Sequence, residues 1–388
     1  MRPQQACITH NLKEFFKLAR RKLGSTLSRI VSRNIGKMTD RTLRAGNRAL
    51  VAALKPAAEK RKPPPGAGDW LQGVVVSPAG ACNYRVYRPL DLKAGEQLAL
   101  MVMLHGCGQD AKTFAMSTRM NQVATRERFL VLYPEQSHLA NAQGCWNWYD
   151  TRSGRAYAEA ALIDQAVEQV CRLYPVDRAR IAVAGLSAGA SMAALLATRH
   201  PERFKAVIMH SGIPPGLAQS SLSAMGAMHG RGNARTSAAA AAAPAPTRGT
   251  LATPTNLGAS WPPLLVIHGG LDGVVASSNG QAAAQTWADA AGARKGVARR
   301  VQRGKRYAMD VTDFKRGRAI VATLVEVGPL GHAWSGGAAQ LRFSNPNGPD
   351  ASRMAWSFAA KQFRLQEAAP GRKKVLKKVG VAARKTGR

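Results

Sequence analysis

Short apolar runs alternate with helix-like stretches through the middle of the chain. Continuous apolar runs predict buried strands at residues 98–104, 129–133, 180–184, 206–209, 264–268 and 320–327. Stretches rich in helix-forming residues between them predict helices at 112–128, 158–173, 188–198, 281–291 and 350–365. Further short strands predict hairpins at 73–87 and 297–318. The alternation is typical of an α/β fold with a mostly parallel central sheet and helices on both faces.

Composition divides the chain into a fold and three segments of different character. Residues 1–66 predict a basic N-terminal arm that ends in a Pro-rich linker, and residues 367–388 predict a basic C-terminal tail. Residues 67–366 carry the alternating pattern, which predicts a single α/β domain that contains the catalytic residues. Within it, residues 218–260 are low in complexity and rich in Ala, which predicts a surface insertion with little to bury.

The charge of the chain is concentrated at its ends. The formal net charge is +34, and residues 1–62 carry 16 Lys/Arg against 3 acidic residues, while residues 361–388 carry 10 against 1. Residues 11–54 also show an amphipathic helical period. Two interpretations stay open: an arm that binds an anionic surface such as a polymer granule, membrane or nucleic acid, or a solvated tail.

Several classes of protein are disfavoured by the sequence. No apolar run approaches 18 residues, so no transmembrane helix is expected. No secretory signal is visible, so the sequence alone predicts a cytoplasmic protein. The five cysteines show no C-x-x-C pair and no Cys/His spacing for zinc, so we expect neither a metal nor a cofactor.

Residues 183–190 combine a predicted strand, a Gly-rich turn with one serine, and a predicted helix. This is the G-x-S-x-G nucleophile elbow, with Gly185 and Gly189 on either side of Ser187. A side chain at either glycine would block the sharp turn and the close approach of strand and helix. The flanking elements favour Ser187 as a nucleophile over a serine that happens to lie in a Gly-rich turn.

A nucleophilic serine needs a base, and the base needs an orienting carboxylate. Asp272 and His332 each follow a predicted strand, in the order Ser, Asp, His that this type of sheet requires. His105 and His268 precede glycines, where backbone geometry is the usual requirement, and His200 precedes a proline. We therefore predict a catalytic triad of Ser187, Asp272 and His332, against the alternative that His332 is an ordinary surface histidine.

The tetrahedral intermediate of acyl transfer requires two N–H donors for its oxyanion. The Ala188 N–H follows the nucleophile at the positive end of a helix, and the loop after the strand 98–104 supplies a second, with Cys107 favoured and Gly106 as the alternative. Aromatic residues could wall the cleft and contact substrate, although core packing explains each of them equally well. These residues are Trp146, Trp148 and Trp334.

Five motifs stand out along the chain: Leu104-His105-Gly106-Cys107, the loop Gln136-Ser137 to Cys145-Trp146-Asn147-Trp148, Gly185-Leu186-Ser187-Ala188-Gly189, His268-Gly269-Gly270-Leu271-Asp272, and Gly331-His332-Ala333-Trp334-Ser335-Gly336-Gly337. Together, and in this order, they resemble the motifs of the poly(3-hydroxybutyrate) depolymerase family of esterases. The resemblance covers roughly residues 70–365 and neither the arms nor the insertion.

The resemblance implies an α/β-hydrolase fold and hydrolysis of short-chain polyhydroxyalkanoate esters. It assigns the nucleophile to Ser187, the acid to Asp272, the base to His332 and an oxyanion donor to Cys107, and it suggests a Cys107–Cys145 bridge. The family is similar to feruloyl and acetylxylan esterases, which are the alternative. A retired hydrolase scaffold whose basic arms bind a surface or nucleic acid is a third hypothesis, and the complete Ser, Asp and His set argues against it.

Three features depart from the family pattern. Many relatives are exported, whereas no export signal is visible here. Ala190 stands where relatives often carry a second glycine, and no separate polymer-binding domain is predicted after the catalytic one.

Overall fold

A computed structural model describes residues 63–77, 80–231 and 261–368 of the chain. The predictions for the basic arm, the C-terminal tail and most of the Ala-rich insertion lie outside these residues. The proposed domain boundaries and the surface-binding role of the arms therefore stay predictions. Within the described ranges, no helix is long and apolar enough to cross a membrane.

A twisted sheet forms the centre of the fold. Its strands are β1 (Gly68–Ser77), β2 (Gly80–Pro89), β3 (Leu98–Leu104), β4 (Leu130–Glu135), β5 (Val176–Leu186), β6 (Ala206–His210), β7 (Leu264–Gly269), β8 (Arg294–Lys295), β9 (Arg299–Val301), β10 (Met309–Arg316) and β11 (Ala319–Val327). Their order in space is β1-β2-β4-β3-β5-β6-β7-β11-β10-β8, and β9 also pairs with β10. The strands from β4 to β11 in this order run parallel, whereas the hairpins at both edges are antiparallel. The predicted mostly parallel α/β sheet is confirmed.

Helices cover both faces of the sheet. They are α1 (Ala111–Thr118), α2 (Met120–Glu127), α3 (Arg155–Leu173), α4 (Ala188–Arg199), α5 (Ser221–Met228), α6 (Ser278–Ala291) and α7 (Ala351–Glu367). One apolar core lies between the sheet and α3, α4 and α6, and a second lies between the sheet and α1, α2 and α7. The continuous apolar character of the central strands is explained by this burial on both faces.

The prediction of a single helix over residues 112–128 is wrong. The structure has α1 and α2 with a break at Arg119, which adopts the left-handed conformation at φ 56°. The Arg119 guanidinium donates hydrogen bonds to the carbonyl oxygens of Gly336 and Gly337, at 2.5 and 2.9 Å. A tertiary contact more than 200 residues away in sequence therefore accompanies the break, and helix propensity alone does not reveal it.

Two smaller elements complete the described fold. The helix α5 begins at a capping box formed by Ser220 and Ser223, and it lies inside the range assigned to the low-complexity insertion. Short parallel strands β12 (Trp334–Ser335) and β13 (Ser344–Asn345) form a separate ribbon just after His332. This ribbon orders the segment that carries one of the predicted site residues.

Candidate active site

Ser187 lies on a tight turn between β5 and α4. Its backbone has φ 55° and ψ −122°, a conformation that costs a non-glycine residue on the order of 1–3 kcal/mol. A Cβ at Gly185 would overlap the backbone of Gly189, and one at Gly189 would overlap the carbonyl oxygen of Leu104. The two glycines thus have the role that the sequence predicted, and the strained serine is held by close packing around the turn.

The structure brings Asp272 and His332 together. Asp272 follows β7 and His332 follows β11, and the Nδ1 of His332 lies 2.8 Å from Oδ2 and 3.0 Å from Oδ1 of Asp272. With Nδ1 as the donor, Nε2 is left as the nitrogen that can accept a proton. No hydrogen bond joins the Ser187 hydroxyl to His332 within the described ranges, so that contact stays a prediction.

The Asp272 carboxylate is buried and held by several donors. Its Oδ1 accepts hydrogen bonds from the backbone N–H groups of Val275 and Val274, at 2.8 and 3.0 Å. Burial acts to raise the pKa of Asp272, but the hydrogen bond from His332 and those from the two valines outweigh it and hold the pKa below its ordinary value. The carboxylate is therefore ionised at neutral pH and able to orient an imidazole.

A second imidazole, that of His268, faces the same carboxylate. Its Nε2 donates to the carbonyl oxygen of Val275 at 3.0 Å and lies 3.5 Å from Oδ2 of Asp272. Burial lowers the pKa of His268, so the ring is neutral. The sequence analysis assigned His268 to backbone geometry, and its position four residues before Asp272 was the pattern that could have revealed this contact.

His210, at the end of β6, contacts both the elbow and the His332 segment. Its carbonyl oxygen accepts the Ser187 N–H at 2.9 Å, and its Nε2 accepts the Ser335 N–H at 3.0 Å. The ring stacks on Trp334 with centroids 5.0 Å apart. Burial lowers the pKa of His210 to about 3. The sequence placed His210 at a strand end and gave no further reason to single it out.

The loop after β3 lies beside the elbow, since a Cβ at Gly106 would lie 3.6 Å from Cβ of Ser187. The Gly106 N–H donates to Oε1 of the buried Gln109 at 3.1 Å. In the described ranges, the N–H groups of Cys107 and Ala188 have no acceptor within the protein. Of the two donors left open in this loop, the geometry favours Cys107, and Gln109 is the residue that makes the difference.

A disulfide joins Cys107 to Cys145. It links the loop after β3 to the loop 136–149, which follows β4. The bridge that the family resemblance implied is therefore present, and it restrains the backbone that carries the predicted oxyanion donor.

The three tryptophans expected to line a cleft are buried in the core. Trp334 is 0% exposed, and its indole N–H donates to Oγ of Ser352. Trp146 is 2% exposed, and its indole N–H donates to the carbonyl oxygen of His105. Trp148 is 8% exposed. The prediction that Trp146 and Trp334 contact substrate is corrected: both indoles are buried in the core and donate their N–H to groups of the protein.

The described residues offer no group of three or more His, Cys, Asp or Glu side chains placed to hold a metal ion. The chemistry available at this edge of the sheet is that of a hydroxyl, an imidazole, a carboxylate and backbone N–H donors. Such a set is suited to nucleophilic acyl transfer.

Comparisons with known proteins agree with this chemistry. The chain is 31% identical over 147 residues to poly(3-hydroxyalkanoate) depolymerase C of Paucimonas lemoignei. The aligned residues cover 38% of this chain and 35% of that protein. It is 29% identical over 149 residues to feruloyl esterase B of Neurospora crassa, covering 37% of this chain and 49% of that protein. It is 27% identical over 168 residues to acetylxylan esterase A of Emericella nidulans, covering 42% and 52%. The chain thus spans about a third to a half of the length of these relatives.

Solved structures support the fold. The acetyl xylan esterase from Aspergillus awamori superimposes with a TM-score of 0.55 at 18% identity, covering 68% of this chain and 94% of that one. The described chain has the α/β-hydrolase fold. The family model for the esterase PHB depolymerase matches residues 82–303, more than half of the chain. This chain belongs to the esterase PHB depolymerase family.

Proposed function

We propose that the chain is a serine esterase that hydrolyses short-chain polyhydroxyalkanoate esters, such as poly- or oligo-3-hydroxybutyrate. The observation that carries the proposal is the Asp272–His332 pair, 2.8 Å apart, which follows the neighbouring strands β7 and β11, while the strained elbow of Ser187 follows β5 in the same run of parallel strands. A carboxylate that fixes the Nδ1–H tautomer leaves Nε2 of His332 to accept the proton of the Ser187 hydroxyl.

The proposed reaction has two halves. His332 takes the proton of Ser187 as the Oγ attacks the ester carbonyl, and the N–H groups of Cys107 and Ala188 stabilise the oxyanion. His332 then gives that proton to the leaving alcohol, which produces an acyl-enzyme. Water, deprotonated by His332, attacks the acyl group and releases the acid and the free serine. Asp272 stabilises the imidazolium in both halves.

The first test concerns the nucleophile. Replacing Ser187 with Ala should lower kcat on p-nitrophenyl butyrate by a factor on the order of 10⁴ or more, because the acyl-enzyme cannot form. A matched control is Ser153→Ala, which removes an exposed hydroxyl on the loop before α3. Circular dichroism should show both variants folded. Activity that persists in folded Ser187→Ala would reject the assignment.

The substrate class requires a separate test, because the relatives named above include a feruloyl esterase and acetylxylan esterases. A feruloyl or acetylxylan type of carboxylesterase is therefore the second candidate. Values of kcat/KM on a 3-hydroxybutyrate trimer, methyl ferulate and acetylated xylan, each measured with full-length protein, separate the candidates. We expect the trimer to be preferred. Preference for ferulate or acetylated xylan would reject the polyhydroxyalkanoate assignment and leave the esterase mechanism intact.

A further inference from the structure

In the part of the chain that the structure describes, the edge of the sheet formed by β10 and β11 has a helix, α6, packed on one of its two faces. Side chains on that face, including Phe314 and Leu324, pack in the core that contains α6. The alternating side chains Met309, Val311 and Val325 point to the opposite face. There α7 packs over β5, β6 and β7, and within the described residues no helix packs as extensively on this face of the hairpin beyond it, whose inward side chains Met309, Val311 and Val325 are 2–7% exposed. This arrangement produces a groove between α7 and the strands β9 to β11.

The groove has a volume of about 980 Å³ and an apolar floor. The floor and the α7 wall are formed by Leu265, Val301, Met309, Val311, Val325, Met354 and Phe358. A space of this size matches the cavities that hold a ligand of several tens of atoms. None of the residues proposed for catalysis lines it, so this is a second place on the molecule.

The rim of the groove is strongly basic. Seven basic side chains line it, namely Arg119, Arg126, Arg299, Arg303, Arg306, Arg353 and Lys361. The acidic side chains that line it are Asp313 and Asp350, and each pairs with one arginine, at 3.1 and 3.5 Å. The rim therefore has five more basic than acidic side chains, and one of the basic ones, Arg126, pairs at 3.0 Å with Glu127, which lies outside the groove. A low-dielectric wall beside such a rim concentrates the positive potential in the groove.

Two of these arginines are held in place without losing their charge. Nη1 of Arg306 donates to the carbonyl oxygens of Gly348 and Pro346, at 2.6 and 3.2 Å. Arg119 is held in the same way by the carbonyls of Gly336 and Gly337. A carbonyl is a neutral acceptor, so both guanidinium groups keep their full positive charge and further N–H donors. They form a pre-organised element on which an anion can bind.

Charge complementarity selects the occupant. Every longer segment outside the described residues is itself basic: residues 1–62 carry 16 Lys/Arg against 3 acids, residues 232–260 carry 2 against none, and residues 369–388 carry 8 against none. Like charge disfavours these segments as the partner of the rim. An apolar floor beneath a cationic rim instead matches a molecule with an apolar body and an anionic end.

We propose that the groove between α7 and β9–β11 binds an amphiphilic carboxylate, with its acyl chain on the apolar floor and its carboxylate among the rim arginines. The site is independent of Ser187, because it lies on other elements, so its test does not depend on the proposed esterase activity. The occupant is a free fatty acid, whose uninterrupted acyl chain suits the apolar floor, and an ester oligomer with a carboxylate end is the competitor that the titration distinguishes.

Isothermal titration of the full-length protein with dodecanoate tests the proposal. We expect saturable binding, a loss of at least tenfold in affinity when octanoate replaces dodecanoate, and much weaker binding of dodecanol, which lacks the charge. A 3-hydroxybutyrate trimer should bind at least tenfold more weakly than dodecanoate, because ester groups interrupt its apolar chain, and a trimer affinity equal to that of dodecanoate would overturn the assignment to a fatty acid. Equal affinity for dodecanol, or absence of dodecanoate binding, would overturn the proposal. A protein that binds a DNA duplex through the rim but does not bind dodecanoate would overturn it as well.

A pair of double variants locates the site. Arg303→Gln with Lys361→Gln removes two exposed charges from the rim and should weaken dodecanoate binding about tenfold. Lys315→Gln with Arg316→Gln removes the same number of exposed charges from the end of β10, outside the groove, and should leave the affinity within about twofold. Both should keep the hydrolysis rate on p-nitrophenyl butyrate. Equal losses in both double variants, or no loss in the first, would refute the location.

Discussion

Two buried imidazoles act as hydrogen-bond acceptors, so the folded state favours their neutral form. Nε2 of His105 accepts the Gln136 N–H at 3.1 Å, while its Nδ1 donates to the carbonyl oxygen of Gly106. Nε2 of His210 accepts the Ser335 N–H at 3.0 Å. Protonation would turn each acceptor into a donor that faces another donor. Burial accordingly lowers the pKa of His105 to about 4 and that of His210 to about 3.

These shifts predict a loss of stability in mild acid. An unfolded histidine binds a proton below a pKa of about 6.5, whereas the folded rings stay neutral until a much lower pH. Between these limits the unfolded chain binds more protons, so the free energy of unfolding falls by about 1.4 kcal/mol per pH unit for each ring. From pH 7.5 to pH 5 the loss is about 2 kcal/mol for each histidine and about 4 kcal/mol for both. This stability is present above the unfolded pKa and is lost as the pH falls toward the folded values.

Urea unfolding at pH 7.5 and pH 5 measures this loss directly. In His210→Gln the amide oxygen can accept the Ser335 N–H without titrating, so the loss between the two pH values should shrink by about 2 kcal/mol. The exposed His138 supplies the control, since His138→Gln should leave the loss unchanged. A pH dependence in His210→Gln equal to that of the unmodified chain would refute the reasoning.

Three further predictions concern the candidate site. Cys145→Ser removes the bridge to Cys107, which closes a loop with a sequence separation of 38, and should lower the free energy of unfolding by about 4 kcal/mol. Urea titration measures this loss, and an unchanged unfolding midpoint would contradict it. Asp272→Asn should lower kcat on p-nitrophenyl butyrate by a factor on the order of 10⁴ while the fold persists, because the imidazole loses its orienting carboxylate, and a loss below tenfold would contradict this role. Gly189→Ala places a Cβ against the backbone of Leu104 and should abolish soluble expression or lower the free energy of unfolding by more than about 3 kcal/mol, as thermal melting would show. Gly328→Ala is the control, because its Cβ would enter open space and should be tolerated.

Much of the candidate site follows from the sequence because its residues lie at the ends of strands with a strong apolar pattern. Ser187 comes directly after β5, and Asp272 and His332 lie in the loops that follow β7 and β11. Parallel strands bring their carboxyl ends to one edge of the sheet, so the strand predictions carry most of the information about the site. The glycines at 185 and 189 add the local geometry of the turn, which depends only on residues next to the serine.

The features that the sequence missed depend on contacts between distant segments. The break at Arg119 coincides with a hydrogen bond to Gly336, and the burial of Trp334 depends on how α7 packs over the sheet. A tryptophan two residues after His332 fits a cleft wall and a core position equally well in the sequence. The sequence already favours Cys107 over Gly106 as the oxyanion donor, but it does not reveal that the side chain of Gln109 accepts the Gly106 N–H, because that contact exists only in the folded loop.

The order of the strands in space explains why His210 has a larger structural role than its sequence position indicated. β6 lies between β5 and β7, so its last residue sits between the elbow of Ser187 and the turn of Asp272. From there its carbonyl holds the Ser187 N–H and its ring holds the Ser335 N–H, three residues after His332. His210 thus connects the elbow of Ser187, through its carbonyl oxygen, to the segment of the proposed base, through its neutral imidazole. Acid that protonates this ring would release the His332 segment from β6, so stability and the geometry proposed for catalysis depend on the same proton.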